Sequence, residues 1–331
     1  MSQTTTSPIW LTDTELYMYE NAALSVITSS TAPALAPVML VLNATIAHPQ
    51  GGGQPGDRGL IIIGNTDVFV FVTTRWGQAP LDSAVVHYGW LLDEEAAAKA
   101  LADPVGTADL VGDSLPRGAL TGEACSAAID ALTLNTTSST SVVVYIARGW
   151  RRACAKLHSA GHLLDAAVGR ALPQLISSLL PAGETAPTLS AGKGNHFPGA
   201  AASVEYVGSI TGSILAAFSS AVSASIISLI SEGARTRVAL LPTKSDLPAA
   251  LADSENELDG MDNTAIAALD MTHFPVNKPL RLVSVGGKDN VCPCGGTHVK
   301  HVSELNGLTI TKITSKKGLT KISYTFEAPL L

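Results

Sequence analysis

Two pairs of metal-binding residue types, far apart in the chain, constrain the fold more than any other feature of the sequence. His158 and His162 stand four positions apart in RRACAKLHSAGHLLDAA, residues 151–167, where leucine and alanine recur with the period of an amphipathic helix. Side chains at positions i and i+4 project from the same face of a helix. Both imidazoles can therefore reach one metal ion.

The second pair, Cys294 and His298, lies in the C-terminal segment CPCGGTHV, residues 292–299. Gly295 and Gly296 stand between the two side chains and predict a tight turn instead of a helix. Together the pairs offer one sulfur and three nitrogen ligands, a set that Zn²⁺ prefers. A fold that binds one ion with all four residues must bring this turn to the helix.

The residues alone leave other interpretations open. The histidines can be a satisfied pair in the core, beside a flexible glycine loop. Metalloprotease chemistry is disfavoured, because the three small residues between the histidines include no glutamate to act as general base. Cys292 is a competing thiol ligand, or the partner of Cys294 in a redox pair, although that pair lacks the usual two intervening residues.

Composition favours a folded chain of two modest domains. The 331 residues are 46% hydrophobic, which excludes a mainly disordered protein. The net charge of −7 counts against a general nucleic-acid binder, which usually has a basic surface. Residues 1–8 lack the pattern of a signal peptide, so we expect reduced thiols and a cytoplasmic location. Two local basic clusters can face phosphates: Arg148, Arg151, Arg152 and Lys156, and Lys312, Lys316, Lys317 and Lys321.

Residues 1–149 predict a small antiparallel β-barrel. The glycine-rich turn PQGGGQPGDRG is held between two predicted strands, and a turn fixed in that way can present a side chain accurately. A segment rich in Ala, Gly and Asp near residues 93–134 is helical in part, and we expect it to be a surface insertion. β-branched and aromatic runs predict strands at residues 14–29 (strand, turn, strand), 38–47, 60–63, 68–73 and 142–147.

Residues 150–331 predict an α+β domain. We expect the helix with the two histidines to reach Leu172, where Pro173 stops or kinks it. Residues 207–231 carry no charge and are long enough to cross a bilayer, but their many Ser, Gly and Ala residues favour a buried helix of a soluble protein. Further strands are predicted at residues 237–242, 280–285, 308–313 and 319–326, the last two as a hairpin.

Three blocks of the sequence resemble one known family. HSAGHLLDAA, the KGNHF loop and CPCGGTHV are similar to the zinc-binding editing domain of alanyl-tRNA synthetase, and more closely to its free-standing relatives, the AlaX-type trans-editing proteins. A further block, TIAHPQGGGQPGDRG, resembles the glycine-rich motif of the same family. Members of this family hydrolyse tRNA(Ala) that has been wrongly charged with serine or glycine. The resemblance implies a β-barrel followed by an α+β zinc-binding editing domain, in a cytoplasmic hydrolase.

The resemblance also implies roles for particular residues. The family's C-G-G-T-H pattern falls on Cys294, so the implied Zn²⁺ ligands are His158, His162, Cys294 and His298. Gln54 and Thr45 fall on matching positions of the glycine-rich motif. They would supply, as catalytic residues, the polar group that recognises the serine hydroxyl that alanine lacks. A strand threonine without such a role is the alternative for Thr45.

Binding of the mischarged tRNA(Ala) acceptor end is the other implied role. No membrane association and no obligate protein partner is expected. Editing of Ser-tRNA(Thr) and a non-catalytic, zinc-stabilised RNA-binding module are the alternative functions. The candidate substrate-binding residues are Gly52, Gly53, Arg151, Lys193, His196 and Thr297.

Four departures from the family pattern put the substrate preference in doubt. Two of them are the insertion after Asp93 and the Ser/Ala-rich helix of residues 207–231. His48 stands where the family usually has an aromatic residue. Gly161 replaces a threonine that is common between the two histidines. None of these changes touches an implied metal ligand.

Overall fold

The computed structural model of the protein describes residues 4–30, 37–137, 140–179, 187–210, 212–252, 258–272, 274–276 and 278–331. Its internal contacts divide it into two compact units. The N-terminal unit consists of Met1–Gly51 and Pro55–Arg152, and the C-terminal unit consists of Gly52–Gln54 and Ala153–Leu331. The short stretch Gly52–Gln54 therefore belongs to a unit whose other residues begin at Ala153, far along the chain.

The N-terminal unit is built on a seven-stranded antiparallel sheet. Its strand order is β2-β9-β6-β7-β8-β4-β3, and a short parallel pair, β1 with β5, lies outside it. Within the described residues the two edge strands, β2 and β3, do not pair with each other, so the sheet is a curled half-barrel and the predicted closed barrel is not confirmed. The strands, in chain order, are β1 (Ser7–Pro8), β2 (Met18–Ala22), β3 (Leu24–Ser29), β4 (Val38–Leu42), β5 (Ala44–Thr45), β6 (Gly59–Ile63), β7 (Asp67–Trp76), β8 (Val85–Leu91) and β9 (Val142–Ile146).

Helices from the segment near residues 93–134 cover both faces of this sheet. They are α1 (Glu94–Ala102), α2 (Pro104–Asp109) and α3 (Gly122–Asn135). Alanines of α1 and α2 pack on Leu60 and Ile62, whereas α3 contributes to the core on the opposite face, which includes Ile61 and Ile63. Alternate residues of β6 are thus buried on both sides, which explains its continuous apolar run. These helices are part of the core and do not stand apart from it.

The C-terminal unit combines helices with antiparallel sheets, which confirms the predicted α+β class. One sheet has the order β10-β11-β16-β15, and β15 with β16 forms the predicted hairpin. A second sheet has the order β12-β13-β14 and its own small core. The elements are α4 (Arg148–Leu179, in this unit from Ala153), β10 (Ser190–Asn195), β11 (Ala202–Val207), α5 (Gly212–Glu232), β12 (Arg237–Leu241), α6 (Leu247–Ala252), α7 (Asn263–Ala267), β13 (Leu280–Ser284), β14 (Val291–Pro293), β15 (Leu308–Lys316) and β16 (Leu319–Phe326).

Helix α4 continues through Pro173 and does not end there. Proline removes one intrahelical hydrogen bond and crowds the carbonyl four residues earlier, which belongs to the exposed Gly169. Beyond the proline, Leu175 is buried in the same core as Leu164 and Ala171. This packing offsets the local cost of proline and keeps the helix continuous.

Helix α5 buries only one of its faces. Phe218, Val222, Ile226 and Leu229 recur at helical spacing and lie in the core, but Ile227 is 66% exposed. The window Ile214–Glu232 has a mean hydropathy of 1.9 and is only 22% buried, so the expectation of a buried helix is wrong for most of its surface. Its length and composition would allow a membrane span, but one helix of this kind is weak evidence for a span.

Candidate metal centre

Four side chains converge where α4 meets the turn after β14. His158 and His162 lie one helical turn apart on α4, and Cys294 and His298 lie on the two sides of the glycine turn. One ligand atom from each residue lies within 4.8 Å of all the others. Cys294 Sγ is 3.6 Å from His158 Nε2 and 3.3 Å from His298 Nε2. In tetrahedral sites with bonds of about 2.0 Å to nitrogen and 2.3 Å to sulfur, neighbouring donor atoms are roughly 3.6 Å apart.

His162 offers a ring nitrogen with nothing to bind. Its Nε2 is buried and has no hydrogen-bond partner among the residues that the structure describes. Leaving such a group unpaired costs about 1–3 kcal/mol, so a metal ion is the partner that best explains its place. Burial lowers the pKa of His162 to about 4, with the nearby His196 and Arg281 acting in the same direction. The ring is therefore neutral at pH 7, as a metal ligand must be.

Gln54 fixes the orientation of His158. Its Oε1 is 2.7 Å from His158 Nδ1, so Nδ1 carries the hydrogen and Nε2 keeps its lone pair for a metal. The same oxygen accepts a hydrogen bond from the backbone N–H of Thr297 at 3.0 Å, and Gln54 Nε2 donates to Thr297 Oγ1 at 2.9 Å. Gln54 is fully buried. These contacts make it a residue that joins the helix ligand to the glycine turn.

The glycine turn packs tightly against the helix. A Cβ atom at Gly296 would lie 2.0 Å from His158 Cε1, so no side chain fits there. The buried Arg281 donates from Nη1 to the carbonyl oxygens of Cys294, at 2.8 Å, and Gly296, at 2.9 Å. Burial raises the pKa of the Cys294 thiol, and the positive charge of Arg281 opposes that rise. A bound cation would add to that effect and favour the thiolate.

The structure separates the two C-terminal thiols. Cys292 Sγ is 3.4 Å from Nδ1 of His162, whereas Nε2 is the nitrogen of that ring without a hydrogen-bond partner among the described residues. Asp165 Oδ2 is 4.0 Å from Nδ1 of His162. Burial raises the pKa of the Cys292 thiol well above its usual value, with the neighbouring Cys294 acting in the same direction. Cys292 is thus a neighbour of a metal ligand, and Cys294 is the sulfur within the cluster.

Ser159, which lies between the two histidines, supports the fourth ligand. Its hydroxyl oxygen is 3.2 Å from His298 Nδ1 and accepts a hydrogen bond from the backbone N–H of Val299 at 3.0 Å. No pattern in the sequence indicated a role for Ser159 or Arg281. A serine that follows a ligand on the same helix can reach what packs on that helix, but its partner depends on the fold.

The candidate substrate-binding residues of the C-terminal unit have different environments. Lys193 is exposed on β10, whereas His196 is buried and stacks on His158 with ring centroids 5.0 Å apart. Gly52 and Gly53 both have positive φ angles, +56° and +79°, which favour glycine. A Cβ atom at Gly53 would also lie 2.3 Å from the carbonyl oxygen of Gly194. The backbone of the glycine-rich turn is thus packed closely against β10.

Thr45 lies in the N-terminal unit and is completely buried. Its Oγ1 is 3.0 Å from His87 Nε2 and accepts a hydrogen bond from the backbone N–H of Ala47 at 3.1 Å. His87 Nδ1 is 3.2 Å from the carbonyl oxygen of Leu40, to which it must donate, so Nε2 accepts the hydrogen of the Thr45 hydroxyl. Burial lowers the pKa of His87 to about 4, which keeps this ring neutral.

Arg151 is also buried in the N-terminal unit, with 1% of its surface exposed. Its Nη2 donates to Asp57 Oδ2 at 2.5 Å and to the carbonyl oxygen of Ile46 at 2.6 Å, and its Nη1 donates to the carbonyl oxygen of Thr14 at 2.7 Å. Asp57 in turn accepts a hydrogen bond from the backbone N–H of His48. The guanidinium is engaged within the protein, and this position does not favour contact with RNA.

Comparison with known proteins identifies one segment of the chain. Residues 280–323 match the family described as the threonyl and alanyl tRNA synthetase second additional domain. The matched segment runs from β13 into β16 and includes Cys294, Thr297 and His298. No curated protein matches the chain. The match is consistent with the editing-domain family of alanyl-tRNA synthetase and indicates a role in tRNA editing or tRNA binding.

Proposed function

We propose that this chain, which shares a segment with tRNA synthetase editing domains, is a trans-editing hydrolase. Its substrates would be Ser-tRNA(Ala) and Gly-tRNA(Ala), from which water releases the amino acid. One observation carries the proposal: the ligand atoms of two α4 histidines lie within 4.8 Å of those of Cys294 and His298, which belong to the matched segment. His158 and His162 lie outside the matched segment, and Cys294 and His298 lie inside it. The four together make up the candidate metal centre.

Zinc is the metal that best suits these ligands, because one thiolate and three imidazoles in a tetrahedral arrangement are typical of zinc sites. When bound, Zn²⁺ would supply positive charge that stabilises negative charge developing on the ester during hydrolysis. The protein's part is to hold the ligands in place. Gln54 fixes the ring of His158, and Arg281 fixes the carbonyl groups of the turn.

The need for a separate site follows from the small size of alanine. A pocket shaped for alanine rejects serine or glycine poorly, because one methyl or hydroxyl group is worth only about 1–3 kcal/mol in such a pocket. A hydrolytic site can instead read the serine hydroxyl with a polar group. Thr297, which accepts a hydrogen bond from Gln54 in the C-terminal unit, is our candidate for that contact, because the hydroxyl of Thr45 already binds His87. Gln54 is expected to act mainly through His158 and the turn, since its side-chain oxygen already accepts two hydrogen bonds.

Lysines on the β10-β11-β16-β15 sheet and in the turn between β15 and β16 are candidates for contacting the acceptor end. Lys193, Lys312, Lys316 and Lys317 are exposed, whereas Lys321 is 3.4 Å from Glu205. The chain as a whole carries a net charge of −7. A few local contacts to phosphates, and therefore a shallow salt dependence of binding, are expected of such a protein.

A second substrate, Ser-tRNA(Thr), is favoured by the matched family itself, whose description covers both threonyl and alanyl tRNA synthetases. Deacylation of Ser-tRNA(Ala), Gly-tRNA(Ala), Ala-tRNA(Ala) and Ser-tRNA(Thr) by the purified, zinc-loaded protein separates the candidates. We expect hydrolysis of the first two and not of the correctly charged Ala-tRNA(Ala). Hydrolysis of Ser-tRNA(Thr) alone would support the second substrate. Binding of tRNA without hydrolysis of any ester would make the chain an RNA-binding module.

A further inference from the structure

The imidazole of His196 lies in a slot whose walls are glycines. A Cβ atom built on Gly161 would lie 2.5 Å from its Cε1, and one on Gly194 would lie 2.1 Å from its Nε2. A Cβ atom on Gly53 would lie 3.1 Å from its Cδ2. Helix α4, strand β10 and the glycine-rich turn thus each place a glycine beside the ring. Any side chain at position 161 or 194 would displace it.

Hydrogen bonds determine which ring nitrogen of His196 carries the hydrogen. The Tyr324 hydroxyl donates its single hydrogen to the carbonyl oxygen of Leu157 at 2.9 Å. His196 Nδ1 is 2.6 Å from the same hydroxyl oxygen, so Nδ1 must be the donor in that bond. With its hydrogen on Nδ1, the imidazole of His196 has a lone pair and no hydrogen on Nε2.

His196 stands beside the metal ligands without being one of them. Its ring stacks on His158, with 20° between the planes, but it lies outside the group of four ligands. Its backbone N–H donates to the carbonyl oxygen of Gly53 at 2.9 Å, which fixes it to the glycine-rich turn. Within the described residues, the bond to Tyr324 is the one hydrogen bond of this side chain. Nε2 is thus an acceptor without a hydrogen-bond partner in the described part of the chain, on a ring that stacks against a candidate metal ligand.

We propose that His196 is a further catalytic residue, whose Nε2 accepts a hydrogen bond from the water that attacks the ester carbonyl; this inference rests on the function proposed above. The water oxygen bonds to the carbonyl carbon, and the bond from that carbon to the ribose oxygen breaks. One water hydrogen ends on the ribose oxygen. The other, held by Nε2 during attack, leaves with the carboxylic acid product. The hydrogen bond to His196 orients a lone pair of the water oxygen towards the carbonyl carbon. The imidazole has the same protonation state before and after the reaction.

Gly161 and His196 depend on each other in this arrangement. Any residue other than glycine at position 161 would bring a Cβ atom to 2.5 Å from Cε1 of the His196 ring. The glycine is therefore the feature of this chain that makes room for the acceptor. This dependence provides a variant that moves the ring without altering any ligand.

The experiment measures deacylation of Ser-tRNA(Ala) and Gly-tRNA(Ala) by the unmodified protein, His196→Ala, Gly161→Ala and the double variant. We expect kcat to fall on the order of a hundredfold in each single variant while KM is retained, because a misplaced nucleophile affects the chemical step. The double variant should be no slower than His196→Ala, since both changes remove the same interaction. Gly169→Ala is the matched control, because the added methyl on the same helix meets nothing within 4 Å.

Zinc content and the absorption spectrum of the Co²⁺-substituted protein provide a readout that is independent of activity, and both should be unchanged in all variants. Full activity in the two single variants would overturn the inference. So would a loss confined to Ser-tRNA(Ala), because Nε2 would then read the serine hydroxyl, or a loss that follows zinc content. If the unmodified protein hydrolyses neither ester, the proposed function itself fails. The two failures are therefore distinguishable.

Discussion

The side-chain oxygen of Gln54 lies 2.7 Å from Nδ1 of His158. Outer partners of this kind fix the orientation of a metal ligand and usually influence affinity almost as much as the ligand itself. Here the same oxygen also holds the backbone of Thr297, within the turn that carries the other two ligands. One amide group therefore couples both halves of the candidate metal centre.

Gln54→Ala should weaken zinc binding by about tenfold to a hundredfold, because His158 and the turn lose their common partner. Competition with a fluorescent zinc chelator measures this affinity. Gln50→Ala, which changes an exposed glutamine at the start of the same turn, is the matched control and should bind zinc normally. Unchanged zinc affinity in Gln54→Ala, together with lost hydrolysis of Ser-tRNA(Ala), would instead assign Gln54 to substrate recognition.

The two C-terminal thiols should respond differently to replacement by serine. Cys294→Ser and His162→Ala each remove a member of the four-ligand group, so we expect both purified proteins to lose stoichiometric zinc. Cys292→Ser should keep it, because that side chain faces Nδ1 of His162 and lies outside the four-ligand group. Elemental analysis of the three variants decides the matter. Full zinc in Cys294→Ser with loss in Cys292→Ser would exchange the two assignments.

Acid should destabilise the protein through its buried neutral histidines. The pKa of His87 is lowered to about 4 from 6.5, so the unfolded chain binds a proton between these values that the folded chain does not. Stability from this group is present above about pH 6.5 and is lost as the pH falls towards 4; between pH 7 and pH 5 the loss is about 2 kcal/mol. This loss is measured by urea unfolding of the unmodified protein and of His87→Gln at pH 7 and pH 5.

Between pH 7 and pH 5, the unfolding free energy of His87→Gln should fall by about 2 kcal/mol less than that of the unmodified protein, because glutamine does not titrate. Other groups titrate in this range, including Asp165, whose pKa is raised to about 6 by burial and which acts in the opposite direction. The comparison with His87→Gln removes their contributions. An equal pH dependence in the two proteins would show that His87 does not contribute.

Arg151→Ala should destabilise the chain by about 3–5 kcal/mol, because it leaves Asp57 as a buried charge without its partner. Arg151→Lys should not restore stability fully, since lysine cannot supply the planar set of donors. Urea unfolding measures the stability of both variants.

The salt dependence of tRNA binding should be unaffected in any Arg151 variant that still folds. Lys193→Ala, which changes an exposed residue, should reduce the slope of that salt dependence without changing stability. A reduced salt slope in a folded Arg151 variant would place that side chain on the RNA.

Local patterns were sufficient to predict much of the candidate metal centre. The spacing of His158 and His162 places both on one face of α4, and paired glycines predict the turn between Cys294 and His298. Both inferences use only neighbours in sequence. The convergence of the four ligand atoms is a tertiary fact that the pairs suggested and the structure shows.

Features that depend on the packing of distant elements could not be predicted from the sequence. The burial of Arg151 against Asp57 follows from the fold and not from the basic cluster around it. Helix α5 was expected to be buried because its composition is apolar, but composition does not tell how many neighbours a helix has. Closure of the N-terminal sheet depends on whether the edge strands meet, and strand propensity does not determine that.

Gly52–Gln54 belong to the C-terminal unit, and this affects any attempt to produce that unit as a separate fragment. A truncated product beginning at Ala153 would retain every ligand but lack the amide that orients His158, since that amide is encoded far upstream. Such a fragment should bind zinc more weakly than the intact polypeptide. A synthetic peptide spanning residues 44–60, added in trans, should restore part of the difference.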